Sequence, residues 1–387
     1  MGYATILGLD LGKFKSVCCA MNMATGDHAF ETVQTTPAAL HELLARHAGD
    51  DPSAVLLVIE TCDAAGWVHD LAAALGVSVT VVHTSGDERW RWRRVKRKTD
   101  RDDALKLARL ARLGELPQPP VHVPAPARRQ HRRLVLHRRS VVTRRTQSRN
   151  GIRAIYNQQG LSLARGNKQW TRAGLAQLRG DARPLEACDD LLDLWRGRLC
   201  AELALMDAAD AQLKVLDATL DHLADADPRI ALLQSVKGVG PRLAEAVVLH
   251  VGDDPRRFKS GDHVASYAGL VPKQLDSGER VRFGHITRRG PALLRSLLVE
   301  SAWMVYRHND WAQAFVAKIS RGSRARRKLA IVGLARRLLI LLWGMLKTNQ
   351  PFRAPKVKPP QATIKTMTTM TKTAMTTMAT KATMATA

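Results

Sequence analysis

The chain has 387 residues, 45% of them hydrophobic, which is enough for two or three domains with buried cores and excludes a small disulfide-stapled module. Sixty Lys and Arg against 35 Asp and Glu leave a formal charge of +25, a surface suited to a polyanion such as a phosphate chain. An acidic membrane fits less well, because the longest apolar run near the end, Leu338 to Leu346, is nine residues and too short to span a bilayer.

No basic leader, long apolar core or small-residue cleavage site precedes the first segment, so no secretion signal is expected. Residues 5–11 and 16–23 read as strands, Thr25-Gly26-Asp27 as a turn, 28–35 as a third strand and 37–48 as a helix. A strand rich in β-branched residues follows at 53–60, then a helix from about 64 to 75 and an apolar strand at 77–83. Three early strands followed by alternating helices and strands predict a mixed sheet flanked by helices, an α/β domain over residues 1–115. A ribonuclease H-like domain has this order, and several other α/β folds share it.

The charge is uneven. Residues 1–87 hold 3 Lys and Arg against 10 Asp and Glu, whereas residues 88–153 hold 21 against 5. In this basic arm Trp90 and Trp92 alternate with Arg89, Arg91, Arg93 and Arg94, and Lys96 and Lys98 follow. The pattern offers stacking surfaces beside phosphate-seeking cations; a solvated basic helix face is the plainer alternative. Five prolines between Pro117 and Pro126 mark a domain edge. Two long amphipathic helices, about 127–158 and 185–223, are then expected to pair as an antiparallel hairpin or as an oligomerising coiled-coil stalk, within a linker and stalk spanning 116–226. Residues 227–350 read as a second, mostly helical module. Residues 354–387 collapse to Thr, Met, Ala and Lys and are expected to be disordered. The cysteines, Cys18, Cys19, Cys62, Cys188 and Cys200, form no CxxC pair and predict reduced, mostly buried thiols rather than a zinc site.

Three constellations can carry chemistry. Asp10 sits inside an apolar strand, Ile6 to Gly12, where a carboxylate is costly unless paired or metal-bound, and Glu60 ends another. Asp100 and Asp103 lie three apart at a helix start, hence on one face. Four such carboxylates can hold two Mg2+ ions about 4 Å apart for phosphoryl transfer. Each also has an ordinary reading: Asp10 in a strand-end turn, Glu60 in a salt bridge, Asp100 as an N-cap, Asp103 in a favourable first turn. The second constellation is the turn Lys237-Gly238-Val239-Gly240-Pro241, a helix-hairpin-helix element whose backbone N–H groups can cradle phosphate, or a purely structural turn. The third is Ser277, by local sequence a turn former in Asp-Ser-Gly, yet surrounded by Lys273, Arg280, Arg282, Arg288 and Arg289. No Ser-His-Asp triad is legible, although His285 is close in sequence.

The order and spacing of these motifs resemble the DEDD transposases of the insertion-sequence one-ten family, recombinases described as bridge-RNA-guided. The resemblance covers about residues 4–350. It rests on Gly8-Leu-Asp10-Leu-Gly-Lys13, Ile59-Glu60-Thr61, Lys98-Thr-Asp100-Arg-Asp-Asp103-Ala104, Arg149-Asn-Gly-Ile-Arg153 and the Gly-Val-Gly turn. It continues through Tyr267-Ala-Gly-Leu-Val-Pro272, Ser277-Gly278, Gly284-His-Ile-Thr-Arg-Arg-Gly290 and Leu293 onward. The resemblance implies a ribonuclease H-like domain of Holliday-junction-resolvase type, a helical stalk and a C-terminal transposase domain. It implies Asp10, Glu60, Asp100 and Asp103 as Mg2+ ligands and Ser277 as a nucleophile forming a covalent phosphoserine with DNA. It further implies a tetramer in which one subunit's serine completes another's acidic site, a structured guide RNA, and a place on the bacterial nucleoid in the cytoplasm. A metal-dependent nuclease or junction resolvase using water, and a non-catalytic nucleic-acid-binding protein, are the competing readings. The Thr/Met-rich tail and the extra acid Asp102 depart from the family pattern.

Overall fold

The computed structural model describes residues 2–84, 99–251, 254–274 and 282–354. Two compact units divide the chain, Met1–Leu216 and Asp217–Ala387.

The first unit opens with the predicted sheet. Strands β1 (Thr5–Asp10), β2 (Lys15–Asn22) and β3 (His28–Gln34) precede helix α1 (Pro37–Ala48), and β4 (Val55–Glu60), α2 (Ala65–Ala74) and β5 (Ser78–Val82) follow. The strand order is β3-β2-β1-β4-β5. β1 and β2, and β2 and β3, pair antiparallel, while β1 and β4, and β4 and β5, run parallel. β1 and β4 are therefore inner strands covered on both faces, which explains why they read as almost unbroken apolar runs rather than as an alternation. Leu7, Leu9, Leu57 and Ile59 pack under α1 and α2. Ile6, Leu56 and Val58 face the opposite way, against α3 (Asp100–Arg112). The proline-rich connector does not simply leave the domain: the Val121 N–H donates to the Val81 carbonyl at 2.8 Å, and Val121 and Val123 pack beside the core. Extended chain thus covers the edge beside β5.

Helix α4 (Pro126–Gln158) and helix α6 (Leu194–Asp225) are the two predicted long helices. Between them lies α5 (Arg172–Asp181), which the sequence reading missed. The long pair is antiparallel: Arg145 meets Asp210, Gly151 faces Glu202 and Gln158 meets Arg198, one number rising as the other falls. The second helix starts later than predicted. Leu185–Ala187 and Leu191–Asp193 are single 3-10 turns, the latter fixed by the Asp190 carboxylate accepting from the Leu192 N–H at 2.9 Å. Leu191 and Leu192, read as part of an apolar stripe, are over 80% exposed.

The second unit is mostly helical, as expected. It comprises α7 (Pro228–Gln234), α8 (Pro241–Val251), α9 (Gly261–Tyr267), α10 (Ala292–His308), α11 (Asp310–Ser320) and α12 (Arg327–Thr348), with a short unforeseen pair, β6 (Pro272–Gln274) and β7 (Phe283–Ile286). At 22 residues, with mean hydropathy 1.9 over an 18-residue stretch, α12 is long and apolar enough to cross a membrane by length and composition, so the nine-residue run alone was the wrong measure. Its place in the core is set by packing: Ile331, Leu334, Leu338 and Leu342 are all at most 1% exposed and join Leu294, Leu298 and Val305 of α10.

The five cysteines are free, but only Cys18 and Cys19 are buried; Cys62 is exposed and Cys188 and Cys200 are half-buried. Burial pushes the Cys18 thiol up to about 12 and that of Cys19 to about 11, which keeps both protonated and inert.

Candidate active site

The carboxyl ends of the two inner parallel strands carry the first pair of predicted acids. β1 and β4 run in register, Leu9 opposite Ile59, so Asp10 and Glu60 end neighbouring strands at one level. Alternation along each strand sets Asp10 with Ile6 and Gly8, and Glu60 with Leu56 and Val58, on the sheet face that α3 covers. Both acids are half-buried. Carboxyl ends of parallel strands are where open α/β sheets place ligands.

Helix α3 brings the other two acids, Asp100 at its first position and Asp103 in its first turn. Its approach depends on Gly8. A Cβ there would stand 2.3 Å from the Ala104 carbonyl oxygen and 2.7 Å from the Ala108 nitrogen, so helix backbone lies directly on strand backbone. Asp103 immediately precedes that contact, and Asp10 lies two residues beyond it on the same strand face. Glu60 accepts a hydrogen bond from the Thr84 hydroxyl and makes no ion pair among the described residues, so the salt-bridge reading is not realised there. Thr84 was not singled out by sequence.

Asp100 is not the cap of α3. Thr99, in extended conformation, accepts from the Asp102 N–H at 3.3 Å, while the Asp102 carboxylate accepts from the Thr99 N–H at 3.0 Å and its hydroxyl at 2.7 Å. This reciprocal box commits Asp102 to the helix start. The Thr99 hydroxyl first, and its N–H second, hold the Asp102 pKa below the ordinary carboxylate value. A folded-state pKa that is depressed adds stability above the unfolded value and loses it as pH falls through the folded one. Thr99→Ala is therefore expected to return the Asp102 pKa toward about 3.9 and to speed amide exchange in the first turn of α3, with the difference from wild type largest above pH ~4 and narrowing at lower pH to the cost of the lost Thr99 cap. An NMR titration of Asp102 together with hydrogen exchange reads both effects.

The cations of the third constellation sit on a braced segment. β6 pairs antiparallel with β7, Gln274 opposite Phe283. Ser277 and Arg280 fall in the 275–281 connection, which lies outside the described residues, as do Trp90, Trp92, Arg93, Arg94, Lys96 and Lys98 and the tail beyond Ala354. After β7 the chain is tied to residues 269–271, the Thr287 N–H donating to the Val271 carbonyl at 2.8 Å and the Arg288 N–H to the Gly269 carbonyl at 3.2 Å. Gly269 and Gly290 have φ of +67° and +76°, and a Cβ on either would stand 2.1 Å or less from a carbonyl oxygen of the other segment. Arg295 donates to the carbonyls of Ala268 and Arg289 at 3.0 and 3.1 Å. The Tyr267–Pro272 and Gly284–Gly290 motifs are thus two halves of one backbone brace that leaves Arg282, Arg288 and Arg289 exposed.

The Gly-Val-Gly turn joins α7 to α8, but its glycines differ. Gly238, at φ +100°, is pressed against α10, where a Cβ would meet the Val305 nitrogen at 2.8 Å. Gly240 is exposed with open space around it. The exposed Lys237 has its carbonyl held by the Asn309 side-chain amide at 2.7 Å. Any phosphate cradle therefore narrows to Gly240 and the start of α8.

Among the described residues no three His, Cys, Asp or Glu side chains converge closely enough to hold one metal ion. The donor set is nevertheless all carboxylate oxygen, the chemistry that suits a hard divalent cation, and the backbone sets Asp10 and Glu60 on one sheet face beneath the helix that bears Asp100 and Asp103.

Comparison with known proteins gives the chain its family. Residues 7–159 match a transposase family model, that of the DEDD transposases of the IS110 type, and residues 230–317 match the transposase IS116/IS110/IS902 family. These matches define the class, a DNA-cleaving and recombining enzyme. A Sinorhizobium fredii protein named as a transposase, y4rJ, is 30% identical over 312 residues, 76% of this chain and 77% of its own. A Pseudomonas aeruginosa protein named as a family 20 transposase is 30% identical over 244 residues (60% and 68%), and the Coxiella burnetii transposase for insertion sequence element IS1111A is 27% identical over 264 residues (66% and 68%). The chain belongs to the insertion-sequence one-ten (IS110) family of transposases, as its motifs led us to expect. Membership implies DNA as partner and a divalent metal as cofactor.

Proposed function

We propose that this transposase cuts and rejoins DNA strands through a covalent phosphoserine at Ser277, with Asp10, Glu60, Asp100 and Asp103 as the ligands of Mg2+, two ions in the fully assembled site. The observation that carries the reading is the level placement of Asp10 and Glu60 on adjacent inner strands, on the face where Gly8 admits the acidic start of α3. The strand order and its three flanking helices support a ribonuclease H-like domain.

In this reaction the Ser277 hydroxyl oxygen gives up its proton and attacks a phosphodiester phosphorus. The bond to the 3′ oxygen breaks, and that oxygen leaves as a hydroxyl. A free 3′ hydroxyl then attacks the phosphoserine, forms the new phosphodiester and returns the serine. One bond forms as one breaks at each step, so no nucleotide cofactor is consumed. Bound metal supplies charge neutralisation at the phosphate oxygens. Arg282, Arg288 and Arg289 hold the phosphate chain, assisted by Arg280, by Trp90, Trp92, Arg93, Arg94, Lys96 and Lys98 of the basic arm, and by the Lys237 side chain and the Gly240 end of the turn. The working unit is a homo-oligomer, taken as a tetramer, and a structured RNA chooses the DNA sites by pairing, leaving the protein to bind backbones and shape.

The test is a denaturing gel of labelled element-junction DNA incubated with the protein, Mg2+ and RNA from the element's flanks. A DNA–protein adduct that Ser277→Ala abolishes is expected. Free nicked DNA that persists in Ser277→Ala would instead leave a hydrolytic nuclease.

A further inference from the structure

The Arg149-Asn-Gly-Ile-Arg153 motif contains none of the residues assigned above. On α4, Arg145, Arg149 and Arg153 recur every four residues, and like charges at that spacing repel along a helix. Arg145 is answered by Asp210 at 2.9 Å. Arg149 and Arg153 have no ion-pair partner among the described residues. Their guanidinium carbons lie 4.9 and 5.1 Å from the ring centre of Trp170 instead, and the Arg149 Nε is buried without a hydrogen-bond partner. Arg149 also feels the Asp210 carboxylate that Arg145 already holds, and Arg153 donates to the Gly166 carbonyl at 3.3 Å; three cations on this helix face share that acid, which leaves room for an anion.

Beside them a cavity of about 470 Å3 opens at the end of α4, lined by Arg153, Asn157, Leu161, Ser162, Arg165 and neighbours, none of them acidic. That volume falls within the ~300–1,000 Å3 of small-molecule sites, enough for one nucleotide. Its far wall is fixed by a fully buried glutamine. Gln169 accepts from the Ala164 N–H at 2.9 Å and donates to the Gly174 carbonyl at 2.9 Å. The opposite wall is anchored by Tyr156, whose hydroxyl donates to Asp181 at 2.6 Å. Two cations, an amide and a hydroxyl suit phosphate and sugar; Leu161, 45% exposed at the rim, offers an apolar surface for a base.

We infer that this pocket is a second nucleic-acid site, which seats one nucleotide of a single strand with its phosphate between Arg153 and Arg165 and the adjoining phosphate along Arg149. It rests on the reading of the chain as a nucleic-acid enzyme but not on Ser277 or the acidic residues. The site holds the strand through residues that take no part in cleavage and fixes its register.

The test uses the full chain with single-stranded DNA from the element ends, or RNA from its flanks, each carrying 5-iodouracil, and maps photo-crosslinks by mass spectrometry. Crosslinks within residues 153–166 are expected in wild type and in Asp10→Asn. The strand that forms them, DNA or RNA, names the source of the nucleotide. Arg153→Ala with Arg165→Ala should remove them, weaken binding about tenfold, and lower the salt slope by about 1.4, two single-strand phosphate contacts. Arg139→Ala with Arg144→Ala, which removes equal charge from exposed positions of the same helix, should keep the crosslinks. Absence of crosslinks in this segment of the wild-type chain with either strand overturns the inference. So does equal loss in the two double variants. Crosslinks that survive while no variant or wild type ever forms a covalent adduct would retire the serine mechanism and leave this site standing.

Discussion

Asp10→Asn is expected to lower strand cleavage by at least about 10^3-fold while leaving the protein folded, because the change removes a negative charge from the reacting region without changing the side chain's size. Asp10 is the last residue of an inner strand whose preceding residues are fully buried, and asparagine keeps its shape. The Glu60 carboxylate ends the neighbouring strand at the same level, and like charges so placed on adjacent strands repel. Neutralising one of them relieves that repulsion, and asparagine can still hydrogen-bond, so the melting temperature of the metal-free protein should change little. Mg2+ should raise the melting temperature of wild type, since a ligand that binds only the native state stabilises it, and should have little effect on Asp10→Asn. The pairing of lost cleavage with undiminished metal-free stability separates a working carboxylate from a structural one. Cleavage at wild-type rates in Asp10→Asn, with the Mg2+ response intact, would remove Asp10 from the site.

Much of this arrangement could be read from sequence, for physical reasons that differ along the chain. The sheet was legible because its inner strands are too apolar to be anything but doubly covered, and because Thr36-Pro37 and Pro126 mark helix starts chemically. Asp10 and Glu60 stood out by contrast, as charges at the ends of buried runs. What escaped was whatever depended on distance. Leu191 and Leu192 fit a helical stripe by spacing, yet the Asp190 cap turns the chain before the helix begins. Spacing singled out Asp100 and Asp103 in Lys98-Thr-Asp-Arg-Asp-Asp103 and left Asp102 as an extra acid, and only the structure shows that Thr99 claims it. The glycines of the Tyr267–Pro272 and Gly284–Gly290 motifs are far apart in sequence and serve one contact, which no local pattern displays.

Gly8 is the sharpest such case, and replacing it should couple stability to chemistry. Its strand position would suit any small apolar residue by pattern, and glycine within a strand interior is ordinarily a weakness. Here it is the point where α3 rests on β1. A methyl group would meet the Ala104 carbonyl at 2.3 Å, the Ala108 nitrogen at 2.7 Å and the Ala108 Cβ at 3.1 Å, the first two being backbone that cannot rotate aside. Gly8→Ala should therefore lift the helix from the sheet and cost about 1–3 kcal/mol, the usual range for overpacking, seen as a shift of the urea midpoint. The displaced helix carries Asp100 and Asp103 away from Asp10 and Glu60. Since misplacing catalytic groups by about 1 Å can cost 10^2-fold, cleavage should fall by about that factor even under conditions where the variant is fully folded. Gly180→Ala is the control: it lies within α5 with nothing inside 4 Å of an added Cβ, and should be neutral or slightly stabilising. Loss of stability without loss of cleavage in folded Gly8→Ala would show that the helix start need not lie where it does for the reaction, and would take Asp100 and Asp103 out of the acidic site.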